Sequence, residues 1–282
     1  MKTENILVIG GTGKTGKRVV TRLEELGHIV RIGSRSASPA FDWHQPDGWA
    51  QALEGIDKVY ITYQPDLAVP GALESIEQLV KESKRANVKK LVILSGKGER
   101  EAQLCEQVII HSGLEYTIVR ASWFNQNFSE NFLLEPVLEG IVVLPQAEAQ
   151  IPWVDADDIA DVVTKALIED RHNGKIYQLT GSRTLTFGEA VAEIAKASNR
   201  EIQFVPVSIK EYGDGMRKAG VPEDFAWLIE YLFTEVLGNP ELAEVTSDVE
   251  KILGRKPIDF REYATKVAAT GIWNTSIAQT HE

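Results

Sequence analysis

Near the start of the chain, Asn5-Ile-Leu-Val-Ile9 leads without a break into Gly10-Gly-Thr-Gly-Lys-Thr-Gly16, and Lys17 to Leu26 then alternate apolar and polar residues at helical spacing before Gly27. A strand, a glycine-rich turn and a helix in that order form the setting in which such a run binds a dinucleotide. Gly10 allows the tight turn, Gly13 lets backbone approach a pyrophosphate with no Cβ in the way, and Gly16 lets the helix pack close to the sheet. The amides at the start of the helix, with Thr12, Lys14 and Thr15 around them, are candidates to hold the phosphates. The glycine spacing differs from the phosphate loop of nucleoside triphosphatases, so kinase-like or ATPase chemistry is not expected.

Beyond the turn, strand-like and helix-like segments alternate, which predicts a parallel sheet covered on both faces. Strands are expected near Asn5–Gly10, Ile29–Ser34, Lys58–Thr62, Lys90–Ser95 and Glu115–Arg120, and helices at Lys14–Leu26, Trp49–Leu53, Gly71–Ala86 and Glu101–Ser112. Further short strands are expected at Val142–Leu144, Ile151–Val154 and Lys175–Leu179, with helices at Asp157–Leu167 and Phe187–Ser198. The fold class is therefore α/β: a doubly wound parallel sheet of Rossmann type with a smaller C-terminal α/β lobe. The boundary is placed at residues 1–150 and 151–282, the second part continuous with the first.

Composition narrows the classes of function. Of 282 residues, 43% are hydrophobic, enough for a well-buried core. No run approaches the ~18 apolar residues of a membrane span, and no signal peptide is readable, so a cytoplasmic protein without membrane partners is expected. The single cysteine, Cys105, allows no intrachain disulfide and is expected to be a buried small residue. The histidines His28, His44, His111, His172 and His281 show no metal-binding spacing, so no metal is expected. A net charge of −11 disfavours attraction to nucleic-acid phosphates, and no nucleic-acid partner is expected. Oligomeric state is left open between monomer and dimer.

The end of the second strand bears on the cofactor. An acidic residue about 20 positions past the glycines would bond the ribose 2′-hydroxyl of NAD, whereas an arginine there accommodates the 2′-phosphate of NADP. This chain reads Val30-Arg-Ile-Gly-Ser-Arg35 with no carboxylate. The hydroxyl of Ser34 and the guanidinium of Arg35 suit a phosphate dianion, so NADP (as NADPH) is the expected cofactor.

Several further segments carry a resemblance: Phe41-Asp42-Trp43, Leu53-Glu-Gly-Ile-Asp-Lys-Val59, Leu94-Ser95-Gly96, Gly113-Leu-Glu-Tyr-Thr-Ile-Val-Arg120, Ser122-Trp-Phe-Asn-Gln-Asn127 and Val154-Asp-Ala-Asp-Asp-Ile-Ala160. With the glycine turn and Arg35, the chain resembles the NmrA-like, atypical short-chain dehydrogenase/reductase family over nearly its whole length. Val245 to Arg255 and Asp259-Phe-Arg-Glu-Tyr-Ala264 are similar to the branch that includes ergot-alkaloid imine reductases of the festuclavine synthase type. The resemblance implies that Asp42 and Trp43 lie beside the adenine and that Thr62, Tyr63 and Gln64 pass over the pyrophosphate and nicotinamide ribose. It implies too that Ser95 and Gly96, with Ser122, Trp123 and Phe124, form the floor and wall near the nicotinamide. Tyr63, Trp123 and Phe124 are then candidates to touch substrate, although Trp123 and Phe124 read equally as core aromatics.

Two features restrain the chemistry. Asp155 and Asp157 look catalytic as part of Asp155-Ala-Asp-Asp158, but they precede an apolar helix in positions that the helix dipole favours, and a structural role is expected. Typical short-chain dehydrogenases carry Tyr-x-x-x-Lys for proton transfer, and this chain has no such pair; Ala102 falls where a related branch places its lysine. Either hydride transfer needs little acid assistance, as with an iminium or quinone, or the protein is a non-catalytic NADP-binding sensor acting through a protein partner. A reductase acting on a small activated acceptor is the favoured expectation, with Lys97 and Glu101 the first places to look for an acid. The segment Pro222 to Phe233 is expected to bury Phe225, Leu228, Ile229, Leu232 and Phe233 on one helical stripe.

Overall fold

The computed structural model describes residues 3–274. The first half of the chain runs β1 (Asn5–Ile9), α1 (Lys14–Glu25), β2 (Ile29–Gly33), α2 (Trp49–Leu53), β3 (Lys58–Ile61), α3 (Ala72–Arg85), β4 (Lys90–Gly96), α4 (Arg100–Ile110), β5 (Glu115–Ala121). Then follow α5 (Asn127–Glu130), α6 (Leu134–Glu139), β6 (Ile141–Leu144), α7 (Ala156–Ile168), β7 (Lys175–Leu179), α8 (Phe187–Ser198) and β8 (Gln203–Pro206). The chain closes with α9 (Ile209–Lys218), α10 (Glu223–Tyr231), α11 (Asp248–Leu253) and α12 (Phe260–Ala268). These divide into two compact units, each discontinuous: residues up to Ser122 with Ala156–Thr180 and Thr246–Lys256, and Trp123–Asp155 with Gly181–Val245 and the chain from Pro257. Residues 156–180 and 246–256, beyond the expected 150/151 boundary, thus return to the first unit.

The first unit is built on a six-stranded sheet of order β2-β1-β3-β4-β5-β7, parallel throughout. Its central strands are buried on both faces, which is why Ile6 to Ile9, Val59 to Ile61 and Leu91 to Ile93 read as unbroken apolar runs rather than alternating ones. The sheet order reverses at β1, which has β2 on one side and β3 on the other. That reversal opens a crevice at the carboxyl ends of β1 and β3, where ligands bind in open α/β sheets.

Helix α7 packs on α1 through ion pairs. Arg22 reaches Asp157 at 2.9 Å and Asp161 at 2.5 Å, Arg18 reaches Asp157 at 3.4 Å, and Arg255 holds the buried Asp158 at 2.5 Å. The acidic cluster is structural, as expected, but by a different route for Asp157 and Asp158: their charges are taken by arginines. Asp155 immediately precedes α7 and accepts a bond from Asn125 at 3.2 Å.

The second unit has a two-stranded parallel sheet, β6 with β8, and an apolar core in which Trp153, Phe187, Phe233, Phe260 and Trp273 are buried. Ile151–Val154 is not a strand: Ile151 and Val154 make only isolated bridges, to Leu185 and Phe124, because Pro152 has no N–H to continue a ladder. The stripe expected at Pro222 to Phe233 holds at Leu228, Ile229 and Phe233, which are buried, and at the partly buried Leu232, but not at Phe225. Helix α10 ends at Tyr231 and a wider turn, Leu232–Val236, follows. Ala226, Ile229 and Phe233 face inward at spacings of three and four, while Phe225 is exposed.

Candidate functional site

The glycine turn closes on itself through the backbone. Gly10 adopts a positive φ of 73°, its N–H donates to Gly33 O at 2.8 Å, and the N–H of Gly13 donates to Gly10 O at 2.8 Å. The glycines then play different parts. A Cβ on Gly10 would strike the hydroxyl of Thr62, and one on Gly16 would strike the Gly10 backbone, so both are demanded by packing. A Cβ on Gly13 would meet only Gly10 O, at 3.2 Å. Gly13 is the N-cap of α1, no side chain caps that end, and the first turn has no acidic residue. A helix N-terminus with no side-chain cap and no acidic residue, beside open space over Gly13, fits a pyrophosphate.

The hydroxyl of Thr15 does not face that space. It accepts a bond at 3.0 Å from Tyr60, a fully buried phenol whose proton is held well above its ordinary range by burial. What Thr15 offers a phosphate is its amide. The turn also contains Gly13-Lys-Thr15, the closing triplet of a nucleoside triphosphatase loop. That loop needs a further glycine five residues before Gly13, and position 8 is Val8, buried in β1. The spacing together with the inward Thr15 hydroxyl removes that reading.

Across the reversal point, Thr62 follows β3 and donates to Ile9 O at 2.9 Å, which ties the ends of β1 and β3 together. Trp43 donates to Thr62 O at 3.2 Å and packs against Tyr63 with ring centroids 4.6 Å apart. Phe41 and Trp49 complete this aromatic cluster, and Trp49 donates to Asp42 O at 2.7 Å. The Asp42 carboxylate caps a local turn by accepting from His44 N at 3.0 Å. Asp42, Trp43, Thr62 and Tyr63 are thus brought together, as are Gly10 and Thr62, while Tyr63 places its hydroxyl 3.4 Å from Ser75. Gln64 is exposed.

At the end of β2, Arg35 is exposed and makes no ion pair among the described residues, while Ser34 lies 3.3 Å from the Ser36 hydroxyl. Arg31, equally basic, is already engaged: its guanidinium donates to Ala52 O and Glu54 O, both at 2.8 Å, at the end of α2. Of these two arginines, Arg35 is the one left exposed to meet a ligand.

Ser95 and Gly96 end β4. The Ser95 hydroxyl donates to Glu106 at 2.6 Å, and Glu106, fully buried, is clamped by Arg120 through bonds of 2.5–3.1 Å. Ser95 is therefore scaffold on its side-chain face. Over Gly96 the space that a Cβ would fill is taken by both carboxyl oxygens of Glu99. Glu99 in turn hydrogen-bonds Asp66, which follows β3, and burial beside that second carboxyl pushes Glu99 well above the ordinary glutamate range. Asp66 accepts from Ala68 N at 2.8 Å. Sequence reading missed this pair, because the partners are 33 positions apart and only the pairing of β3 with β4 brings their loops side by side. Lys97 is buried.

In the second unit, Trp123 is half-buried and packs on Phe187 and Phe233 at 5.7 and 5.4 Å, and Phe124 is half-buried beside the bridge to Val154. Trp123 belongs to that unit's aromatic core with part of its ring left accessible. Cys105 is buried and its thiol pushed up to about 12 by desolvation, the expected inert residue.

Residues 10–170 match the family model described as NAD(P)H-binding. The chain belongs to the NAD(P)H-binding family that this model describes. An NAD(P)H azoreductase of Xenophilus azovorans is 30% identical, over 94% of this chain and 98% of its own. Prestalk A differentiation protein A of Dictyostelium discoideum is 29% identical, over 92% and 91%, and festuclavine synthase II of Penicillium roqueforti is 27% identical, over 92% and 96%. Among solved structures, an NADPH-dependent quinone oxidoreductase of Escherichia coli superposes with a TM-score of 0.78 at 19% identity, covering 93% of this chain and 99% of that one, a likeness of fold. The resemblance to the NmrA-like family and its clavine branch holds. No helix among the described residues is long and apolar enough to cross a membrane, and no group of three or more candidate ligands could hold a metal.

Proposed function

We propose that this NmrA-like protein is an NADPH-dependent reductase that passes hydride to a small activated acceptor, an imine, quinone or similar electrophile. When bound, the cofactor supplies the hydride. The observation that carries the cofactor choice is the exposed guanidinium of Arg35 at the end of β2, with no carboxylate from Ser34 to Phe41. In this reading the amides of Lys14 and Thr15, in the first turn of α1, hold the pyrophosphate, Arg35 and Ser34 the 2′-phosphate, and Asp42 and Trp43 flank the adenine. The nicotinamide half then runs the other way along the strand ends, over Thr62, Tyr63, Gln64, Ser95 and Gly96.

The choice of acceptor is supported by what is missing. Without Tyr-x-x-x-Lys there is no ready donor for the alkoxide of a simple ketone, whereas an electrophile that is cationic or easily reduced needs mainly orientation. Relatives named NAD(P)H azoreductase and festuclavine synthase are consistent with that class. The names of most such relatives weigh against a purely regulatory role. A panel of simple ketones, cyclic imines and quinones, followed by loss of NADPH absorbance, tests the reading: turnover is expected on imines or quinones and not on ketones. Inertness toward every acceptor would overturn it in favour of an NADP-binding sensor.

A further inference from the structure

A neutral acceptor such as a quinone or an azo compound takes up a proton along with hydride, and the obvious candidates for supplying it are spoken for. Tyr60 is buried and bonded to Thr15, and Cys105 is sealed in the core. Glu99 differs. Its carboxyl sits over Gly96, at the carboxyl end of β4 and on the side of the crevice opposite Arg35, in a residue that is only partly exposed. It stands at the N-cap of α4 yet makes no capping bond, so the group is not consumed in holding the helix. It instead hydrogen-bonds Asp66 from the neighbouring loop, and two carboxyl groups at bonding distance cannot both ionise near neutrality, so they share a proton. The acidic groups facing the pair act in the same direction, Glu101 and Glu106 both on α4, and the guanidinium of Arg120 on β5 is paired with Glu106. Gly96 is what makes room, since any side chain there would displace the Glu99 carboxyl.

We propose that Glu99 is the proton donor of this site, with Asp66 as the partner that shares and returns the proton. The inference rests on the reductase reading. For a quinone, hydride leaves C4 of NADPH with its bonding electrons and reduces the acceptor, while the Glu99 O–H bond breaks and its proton goes to the developing oxyanion. NADP⁺, the hydroquinone and a Glu99 carboxylate result, and the carboxylate is reprotonated from water through Asp66. Neither Lys97 nor Glu101 is needed.

The test uses the whole protein and three readouts. In the cofactor-free protein, carbon-13 NMR of side-chain carboxyls should show one group staying protonated above the ordinary glutamate range, and that signal should vanish in Glu99→Gln. With saturating NADPH, Glu99→Gln should lower the rate on a quinone relative to the rate on a triarylmethyl cation, which needs no proton, by about 10²-fold or more, the span of a general acid. Asp66→Asn removes the facing charge, so the alkaline fall of the quinone pH profile should move to lower pH, a shift that a merely structural carboxyl would not produce. An unchanged rate ratio in Glu99→Gln, or an unmoved profile in Asp66→Asn, overturns the assignment while leaving the reductase standing. A wild-type protein inert on both acceptors brings down the reductase reading, and this inference with it.

Discussion

At the residue scale, two arginines on one strand edge have opposite fates. Arg31 is bound to the end of α2 and Arg35, four residues on, is exposed and unpaired among the described residues. If Arg35 meets a 2′-phosphate, Arg35→Ala should weaken NADPH binding by about 1.5–3 kcal/mol, the worth of a hydrogen bond to a charged group, and leave NADH binding unchanged. Fluorescence titration with both cofactors measures it; equal affinities in the wild type would remove the basis for choosing NADP. The sequence made this arginine legible because its role depends on distance from the glycines, a local property. It hid Glu99, whose significance comes from Asp66 and from the missing Cβ at Gly96. It also left open which way the hydroxyls of Thr15 and Ser95 point, since whether a hydroxyl faces ligand or core is decided by partners such as Tyr60 and Glu106 on other elements.

At the element scale, the glycine turn separates two kinds of requirement. Gly13→Ala adds a methyl group into space bounded only by Gly10 O at 3.2 Å, so the fold should persist while dinucleotide affinity falls. Gly16→Ala puts the methyl into the Gly10 backbone and should destabilise the protein whether or not cofactor is present. Circular dichroism melts with titration of the same samples distinguish the two; a Gly13→Ala protein that binds NADPH normally would move the phosphate elsewhere. Strand β4 supplies a pH prediction. Lys90 is buried beside Lys58, and desolvation together with that like charge lowers its ammonium to about 8. Between that value and the ordinary lysine range near 10.5 the unfolded chain binds more protons than the folded one, so Lys90 makes stability rise with pH across that window and contributes no slope below it. Urea melts from pH 7 to 10 should show a steeper rise in the wild type than in Lys90→Met. Strand and helix positions of this kind were readable because the buried sheet leaves long apolar runs. Ile151–Val154 misled because its apolar character reflects burial in the second unit's core, while Pro152 denies it a ladder.

At the scale of the whole molecule, charge becomes the organising quantity. The chain carries a net −11, so the field around it repels anions at long range, and NADPH must rely on local partners: the α1 amides and Arg35. The same field favours the approach of a cationic acceptor and is indifferent to a neutral one. With NADPH held saturating, kcat/KM for a triarylmethyl or iminium cation should fall as salt rises from about 20 to 200 mM, as the Debye length shrinks below about 10 Å. The value for a neutral quinone should stay nearly flat. The difference between the two slopes is the informative quantity, because any loss common to both reports a change in the protein or in cofactor binding. Parallel slopes would mean that the acceptor is captured by local apolar contact alone, with the net charge serving solubility and not encounter.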